Sequence, residues 1–291
     1  MIVLEAGMAR AMIAFDGAEI KLWEVAGTSL LWQPDPLVWP ETAPILFPVV
    51  GWTKDGEVKV GERSFPLGLQ GFARARRFEL IDQERQAVRL RLVSDAATRA
   101  LYPFDFSFIV EHRLSESGLQ TSLDIANMGD HAMPYACGVH PGFRWPFASG
   151  AADAYRIHFA AAEDPQVPEI APGGFMSQRK RLLPLQDKIL PLARSLFEND
   201  ALCFLNARSH GLRFEAPDGA AITLDVEDFP HLALWCRPGH GYLCLEAWTG
   251  YSDPEDFTGD LFAKPSMRLL APGQRARHAA IFSYEPADMR P

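Results

Sequence analysis

The chain has 291 residues, of which 48% are hydrophobic and 22% charged, so it can bury a sizeable core and is not a disordered protein. Its net charge of -9 argues against a nucleic-acid-binding protein, because the short basic run at residues 74–77 lies in an acidic background. No stretch approaches the roughly 20 apolar residues of a membrane-spanning helix, and the N-terminus shows no signal-peptide pattern. The four cysteines form no CxxC pair, which favours reduced, buried thiols in a cytoplasmic protein.

Apolar and polar residues alternate with a period of two along much of the chain, which is typical of half-buried β-strands. The alternation predicts strands over residues 87–93, 104–110, 119–125 and 222–226. One short helix is expected over residues 94–102, capped by Ser94 and ended before Pro103, and one further helical turn within residues 194–200. The 23 prolines and 22 glycines divide the chain into short elements. These features predict an all-β protein, a large antiparallel sandwich or barrel with a few short helices.

The domain organisation follows from the absence of any break in this pattern. Residues 163–181 are rich in proline and glycine and are predicted to form a loop, but strands of the same kind resume after them. The sequence shows no internal repeat, no low-complexity tract and no linker between regions of different composition. We therefore expect one domain over residues 1–291.

A carboxylate in an apolar segment is the first candidate for chemistry. If residues 242–250 form a strand, Tyr242, Cys244, Glu246 and Trp248 share one face, and the leucines between them face the core. A glutamate held among aromatic side chains has its pKa raised by desolvation, which suits proton transfer near neutral pH. On this segment alone, an ordinary solvent-facing glutamate explains the pattern equally well.

The second candidate is His140, which lies in the segment Gly-Val-His-Pro-Gly at residues 138–142. A rigid turn positions a functional side chain well, although a lone histidine is more often structural or solvated. The nearby rings of Phe143, Trp145 and Trp248 offer a platform for the apolar face of a sugar, with core packing as the alternative for each. The other histidines form no i, i+4 pair on a helix, so no metal site is predicted.

These segments resemble the aldose 1-epimerase (galactose mutarotase-like) family, especially its bacterial branch. Each motif is short, and the resemblance rests on their shared order and spacing along most of the chain. The matching segments are residues 17–20, 31–36, 43–51 (Ala-Pro-Ile-Leu-Phe-Pro-Val-Val-Gly), 70–74 (Gln-Gly-Phe-Ala-Arg), 138–143, 196–202 and 243–248 (Leu-Cys-Leu-Glu-Ala-Trp). The resemblance implies a single antiparallel β-supersandwich with a sugar cleft on one face.

The resemblance also implies a reaction. In such enzymes a glutamate takes the proton of the anomeric hydroxyl, a histidine protonates the ring oxygen, and the opened sugar closes again on its other face. Carried over, Glu246 is the general base, His140 is the general acid and Asp200 is a ligand of substrate hydroxyls. The resemblance implies no cofactor and no metal. We expect a small sugar as the binding partner, no nucleic acid and no membrane, and a monomer or homodimer.

The chain departs from the family pattern at two positions. Gln70 stands where the family usually has the histidine of His-Gly-Phe-Ala-Arg, and Trp52 stands where an arginine often follows the Phe-Pro-x-x-Gly run. Glutamine cannot carry a charge, and tryptophan offers a single N–H donor in place of a charged five-donor group. Both positions belong to the expected substrate shell, so we expect the acid–base pair to be retained and the preferred sugar to be altered.

Two arginines are candidates for contact with an anionic sugar. Arg74 closes the Gly-Phe-Ala-Arg motif, and Arg144 follows the His-Pro-Gly-Phe motif. Because arginine pairs bidentately with anions, a 6-phospho or 6-sulfo hexose is one candidate substrate. A structural salt bridge or a contact with a neutral sugar explains either residue as well.

Two other classes of protein remain open. A non-catalytic carbohydrate-binding or sensor protein on the same fold would account for the changes at Gln70 and Trp52 but not for the retained His140 and Glu246. A glycoside hydrolase would need two carboxyl groups across the scissile bond, and only Glu246 and the weaker candidate Asp200 are available.

Overall fold

The computed structural model describes residues 1–287, which form short strands joined by tight turns. Within these residues the single α-helix, α1, is Ala96–Arg99. One-turn 3-10 helices lie at Lys54–Gly56, Ala73–Ala75, Ala152–Ala154, Arg194–Phe197 and Leu261–Ala263. The strands are β1 (Ile2–Ala6), β2 (Ala9–Ile13), β3 (Ile20–Val25), β4 (Thr28–Ser29), β5 (Ile45–Leu46), β6 (Glu57–Val60), β7 (Arg63–Pro66), β8 (Glu79–Gln83), β9 (Ala87–Val93), β10 (Phe106–Leu114), β11 (Gly118–Asn127), β12 (Met133–Tyr135), β13 (Gly138–Val139), β14 (Gly142–Arg144), β15 (Arg156–Phe159), β16 (Gln166–Ala171), β17 (Phe175–Leu182), β18 (Ile189–Pro191), β19 (Leu202–Phe204), β20 (Gly211–Glu215), β21 (Ala221–Glu227), β22 (His231–Trp235), β23 (Tyr242–Trp248), β24 (Arg268–Leu270) and β25 (Arg275–Glu285).

Two antiparallel sheets make up most of the fold. The larger has nine strands in the order β18-β15-β20-β21-β25-β11-β10-β9-β8. The smaller has six strands, in the order β19-β22-β23-β13-β5, with β14 pairing to β23 beside β13. Strands β1–β4 form a separate meander, and β6–β7, β12–β24 and β16–β17 are two-stranded ribbons. The predicted antiparallel, all-β architecture is therefore confirmed.

The core lies between the two large sheets. The Phe143 ring, on β14, packs against Phe282 of β25 with centroids 5.3 Å apart. Phe47, which follows β5, stacks on Phe108 of β10 at 4.6 Å. Rings of this size remove large apolar areas from water. The burial of one face of strands such as β10 gives the alternation seen in the sequence.

The predicted strands are confirmed, with one boundary corrected. Strand β10 begins at Phe106 and not at residue 104, because the Phe104 N–H bonds to the Tyr102 carbonyl in a tight turn (2.8 Å). Helix α1 lies inside the predicted 94–102 helix, but its cap is Asp95, whose side chain accepts from the Thr98 N–H (2.7 Å).

The prediction of a loop over residues 163–181 is wrong. The segment forms the hairpin β16–β17, turned by Gly173 and Gly174, which both have positive φ. The hairpin tolerates its proline because the register shifts between Pro168 and Ile170. Its Met176 joins a second buried cluster with Trp248 on the outer face of the six-stranded sheet, so the hairpin covers the face that carries Glu246.

All four cysteines are buried and free, as predicted. Among the described residues, no helix is long and apolar enough to span a membrane. One large buried cluster extends from Ile2 to Tyr284, and the single-domain organisation stays a prediction.

Candidate active site

His140 and Glu246 face each other on neighbouring strands. Strand β23 pairs with β13 through Val139–Ala247 and with β14 through Gly142–Cys244, so His140 lies opposite Glu246 between the two pairs. Pro141 has no N–H to donate to the ladder, and its carbonyl accepts from Leu245 (3.1 Å). The side chains meet with His140 Nε2 3.1 Å from Glu246 Oε2. The two predicted proton carriers are thus in direct contact.

Glu246 is almost completely buried, with 1% of its surface exposed. Burial raises the pKa of its carboxyl well above 4.5, and the hydrogen bond that Trp248 Nε1 donates to Oε2 (3.1 Å) acts in the opposite direction. Both faces of β23 are buried, so the alternative of a solvent-facing strand glutamate does not hold. The desolvated carboxyl can hold a proton at a pH where an exposed glutamate cannot.

His140 is enclosed by aromatic rings. Trp39 lies over it at 5.3 Å and 35°, and Trp235 meets it edge-on at 5.6 Å. Trp39 also stacks on Tyr242 at 5.2 Å. A Cβ at Gly142 would lie 2.5 Å from the Trp39 ring, so glycine at this position permits the close approach.

This enclosure leaves His140 only 9% exposed, and burial lowers its pKa to about 3, so the ring is uncharged at neutral pH. Its Nδ1 is buried and has no hydrogen-bond partner among the described residues. Sequence reasoning missed Trp39 and Trp235 because they come from distant segments without a local signal.

A thiol completes the cluster. Cys244 shares the face of Glu246 on β23, and one donor atom each from His140, Cys244 and Glu246 lies within 4.8 Å of the others. Burial raises the pKa of the Cys244 thiol well above 9.0, so it is protonated at neutral pH. The sequence indicated the shared face of Cys244 and Glu246 but not the convergence of three potential metal ligands.

Arg74 is held by an acidic partner that sequence reasoning missed. Its Nη1 donates to both carboxylate oxygens of Glu41, at 2.9 and 2.7 Å. Burial raises the pKa of Glu41, and the charge of Arg74 opposes that shift. The charges of this pair act on the cluster, since the Arg74 charge helps to lower the pKa of His140 and the Glu41 charge helps to raise that of Cys244. Arg74 therefore stands in a salt bridge, one of the alternatives left open by the sequence.

The two positions that depart from the family pattern lie on neighbouring loops. Gln70, at φ 62°, exchanges two hydrogen bonds with Gly51: its N–H donates to the carbonyl, and its Oε1 accepts from the Gly51 N–H (2.8 Å). Trp52 is 44% exposed, and its ring packs against Gly174 of the β16–β17 turn. The side-chain amide oxygen of Gln70 thus holds the backbone of Gly51, the residue that precedes Trp52.

The remaining predicted substrate residues are placed differently. Asp200 is exposed at φ 69°, its Oδ1 accepts from the Ala201 N–H (2.7 Å), and its charge contributes to the raised pKa of Glu246. Arg144 is exposed, and its backbone pairs with that of Tyr242 at the end of β14. It lies four residues after His140 in the chain, which is roughly 13 Å at strand spacing.

Two of the three rings predicted to form an aromatic platform for the sugar are packed in the core instead. Phe143 is fully buried against Trp23 and Phe282, and Trp145 is fully buried with its Nε1 donating to the Ala152 carbonyl. Trp248 is buried and bonded to Glu246. The alternation on β14 directs Phe143 into the sandwich, so the rings beside His140 are those of Trp39 and Trp235.

This geometry agrees with the comparisons to known proteins. The family model described as "Aldose 1-epimerase" matches residues 1–283, so the chain belongs to the aldose 1-epimerase family. Protein LacX (plasmid) of Lactococcus lactis subsp. lactis is 31% identical over 258 residues, covering 84% of this chain and 86% of that protein. Membership makes the chain a sugar isomerase.

Solved structures agree over nearly the full length. A galactose mutarotase related enzyme from Lactobacillus acidophilus superimposes with a TM-score of 0.91 and 27% identity, covering 99% of this chain and 98% of the other. A galactose mutarotase-like protein from Lactobacillus casei ATCC 334 gives a TM-score of 0.91 and 27% identity, covering 98% of this chain and all of the other (100%). The fold predicted from the family resemblance is thereby confirmed.

Proposed function

We propose that the protein is a mutarotase that interconverts the α and β anomers of an aldohexose, with Glu246 and His140 as its acid–base pair. The observation that carries the proposal is the 3.1 Å contact between His140 Nε2 and Glu246 Oε2. The ring oxygen and the anomeric oxygen of a sugar are bonded to the same carbon. Two groups at this spacing can therefore each reach one of them, and each positioned group contributes roughly 10²–10⁴-fold to the rate.

The proton balance of ring opening fits this pair. Opening removes a proton from the anomeric hydroxyl and adds one to the ring oxygen, so the pair gains no net charge. It can hold its single exchangeable proton as neutral Glu246 with neutral His140, or as carboxylate with imidazolium. Burial favours the uncharged arrangement, so the proton passes from Glu246 to His140 across the 3.1 Å between Oε2 and Nε2 before ring opening begins. In ring opening the Glu246 carboxylate takes the hydroxyl proton while the His140 imidazolium protonates the ring oxygen, which returns both groups to their uncharged forms. Ring closure on the other face of the sugar reverses both transfers.

We further propose that the sugar is uncharged at C6. Of the two anion-binding candidates, Arg74 is the one whose charge acts on His140, and Glu41 occupies it with two hydrogen bonds. Glu19, which influences Glu41, is itself paired with Lys21. The two cations and two carboxylates of these ion pairs carry no net charge together, which disfavours a phosphate or sulfonate beside them. A 6-phospho or 6-sulfo hexose is the competing substrate, and the same experiment decides between them.

The test is anomer exchange at equilibrium, measured by NMR with glucose, galactose, glucose 6-phosphate and a 6-sulfonated hexose. Exchange should be fastest with a neutral hexose and should collapse in Glu246→Gln and in His140→Asn. The exposed residues Glu84 and His210 provide matched controls as Glu84→Gln and His210→Asn, which should exchange like the wild type.

Three outcomes would overturn all or part of this proposal. Binding without exchange would favour the carbohydrate sensor. Release of an aryl leaving group from an aryl glycoside would favour a glycoside hydrolase, with Asp200 as its second carboxylate. Faster exchange of glucose 6-phosphate than of glucose would keep the mutarotase and reject the neutral sugar.

A further inference from the structure

We propose that His140, Cys244 and Glu246 form an inhibitory site for a thiophilic divalent metal ion, Zn²⁺ or Cd²⁺, which competes with the sugar for the acid–base pair. The competition with sugar rests on the proposed function, whereas binding of the metal does not.

The first support is the convergence of three donors on rigid elements. One imidazole nitrogen, the Cys244 sulfur and one Glu246 oxygen lie within 4.8 Å of one another, and His140 Nε2 is 3.1 Å from Glu246 Oε2. In a tetrahedral zinc site with bonds of about 2.0–2.3 Å, neighbouring donors are about 3.3–3.8 Å apart. Side-chain adjustments of about 1 Å are thus enough to surround an ion.

The charges of the donors select a divalent ion. On binding, the thiol proton of Cys244 and any proton on Glu246 are released to solvent, leaving a thiolate, a carboxylate and a neutral imidazole. These two negative charges cancel the charge of a divalent cation, so the buried complex is neutral and avoids the large cost of burying a net charge. A sulfur and an imidazole donor favour Zn²⁺ or Cd²⁺ over Mg²⁺ or Ca²⁺, which prefer oxygen ligands.

The same surroundings make the binding reversible. Three protein ligands leave the fourth coordination position of a tetrahedral ion to water, as in catalytic zinc sites. The His140 Nδ1 has no hydrogen-bond partner among the described residues, although a partner on that nitrogen normally orients a ligating histidine. Loss of such a partner costs about 10–100-fold in metal affinity, so the ion should act as a removable inhibitor.

The metal is tested directly by titrating chelator-treated protein with Cd²⁺ and recording the ultraviolet thiolate-to-cadmium charge-transfer band. One equivalent should saturate the band in the wild type, and the band should be absent in Cys244→Ala. Cys137→Ala is the matched control, because Cys137 is equally buried and does not belong to this cluster, and its backbone N–H, which donates to Thr249 Oγ1, is kept in the variant. Calorimetry with Zn²⁺ in buffers of different ionisation enthalpy should detect proton release, and His140→Asn should weaken binding at least about tenfold.

Inhibition is tested by anomer exchange. Zn²⁺ should abolish exchange in the wild type, EDTA should restore it, and Mg²⁺ at the same concentration should have no effect. The remaining activity of Cys244→Ala should be insensitive to Zn²⁺. A cadmium band that persists in Cys244→Ala, or wild type without a band, would overturn the proposal. If no sugar is exchanged at all, the mutarotase proposal fails while the cadmium band still decides the metal site.

Discussion

Replacing Glu41 by glutamine should shift the sugar preference towards hexoses that carry an anion at C6. In the wild type the Glu41 carboxylate accepts both hydrogen bonds from Arg74 Nη1. Glutamine keeps one acceptor oxygen for the guanidinium but removes the negative charge. Arg74 would then present a net positive charge beside the His140–Glu246 pair.

The size of the effect follows from the charge that is removed. At an effective dielectric constant of about 20, a carboxylate about 6 Å from a bound anion repels it by about 3 kcal/mol. The Arg74 and Glu41 side chains are 27% and 24% exposed, so solvent screening reduces this figure to about half. The expected gain is about 1.4 kcal/mol, which is about tenfold in kcat/KM for glucose 6-phosphate, with a far smaller change for glucose.

The assay compares kcat/KM for glucose 6-phosphate and glucose in wild type, Glu41→Gln and the exposed-site control Glu84→Gln. The ratio should rise only in Glu41→Gln, and the rise should shrink at high ionic strength because salt screens partly exposed charges. An unchanged ratio, or equal losses with both sugars, would show that Arg74 does not face the substrate.

Three further predictions concern protonation. Because burial lowers the pKa of His140 from 6.5 to about 3, kcat/KM should stay level as the pH falls through 6.5, and an acid limb at 6.5 in the pH profile would contradict this. Trp248→Phe removes the hydrogen bond to Glu246, so it should raise that pKa further and lower kcat about 10–100-fold; a change in KM alone would argue against this role. Buried His112 and His231 have pKa values lowered to about 4. The unfolded chain binds their protons first, so the free energy of unfolding should fall below pH 6.5, by up to about 3 kcal/mol for each histidine by pH 4, as measured by urea denaturation. A stability that did not change over this range would refute the last prediction.

The strands were predictable wherever one face of an element is buried. Strand β9 covers the predicted residues 87–93, because period two is a direct consequence of one buried face. The same reasoning put Cys244 and Glu246 on one face of β23. It could not distinguish an exposed glutamate from a buried one, since the β16–β17 hairpin that covers this face lies far away in sequence.

The rest of the site depends on contacts between distant segments. Trp39 reaches His140 from a loop about a hundred residues away, and Glu41 reaches Arg74 across 33 residues. Neither residue has a local pattern that distinguishes it from ordinary core or surface positions. The hairpin over residues 163–181 was missed for a related reason, because its prolines and glycines resemble a loop until the pairing of its strands is known.

The interrupted pairing of β13 and β14 along one side of β23 has a consequence for how this scaffold can diversify. His140 and Glu246 lie opposite each other on neighbouring chain segments of the sheet. Their spacing is therefore determined by the distance between paired strands and not by the conformation of a loop. Connecting segments outside the strands carry Gln70, Trp52 and Glu41, and they can change in sequence without altering the spacing of the two proton carriers. On the proposed function, grafting these segments from a relative should therefore change which sugar is accepted while the two proton carriers keep their spacing.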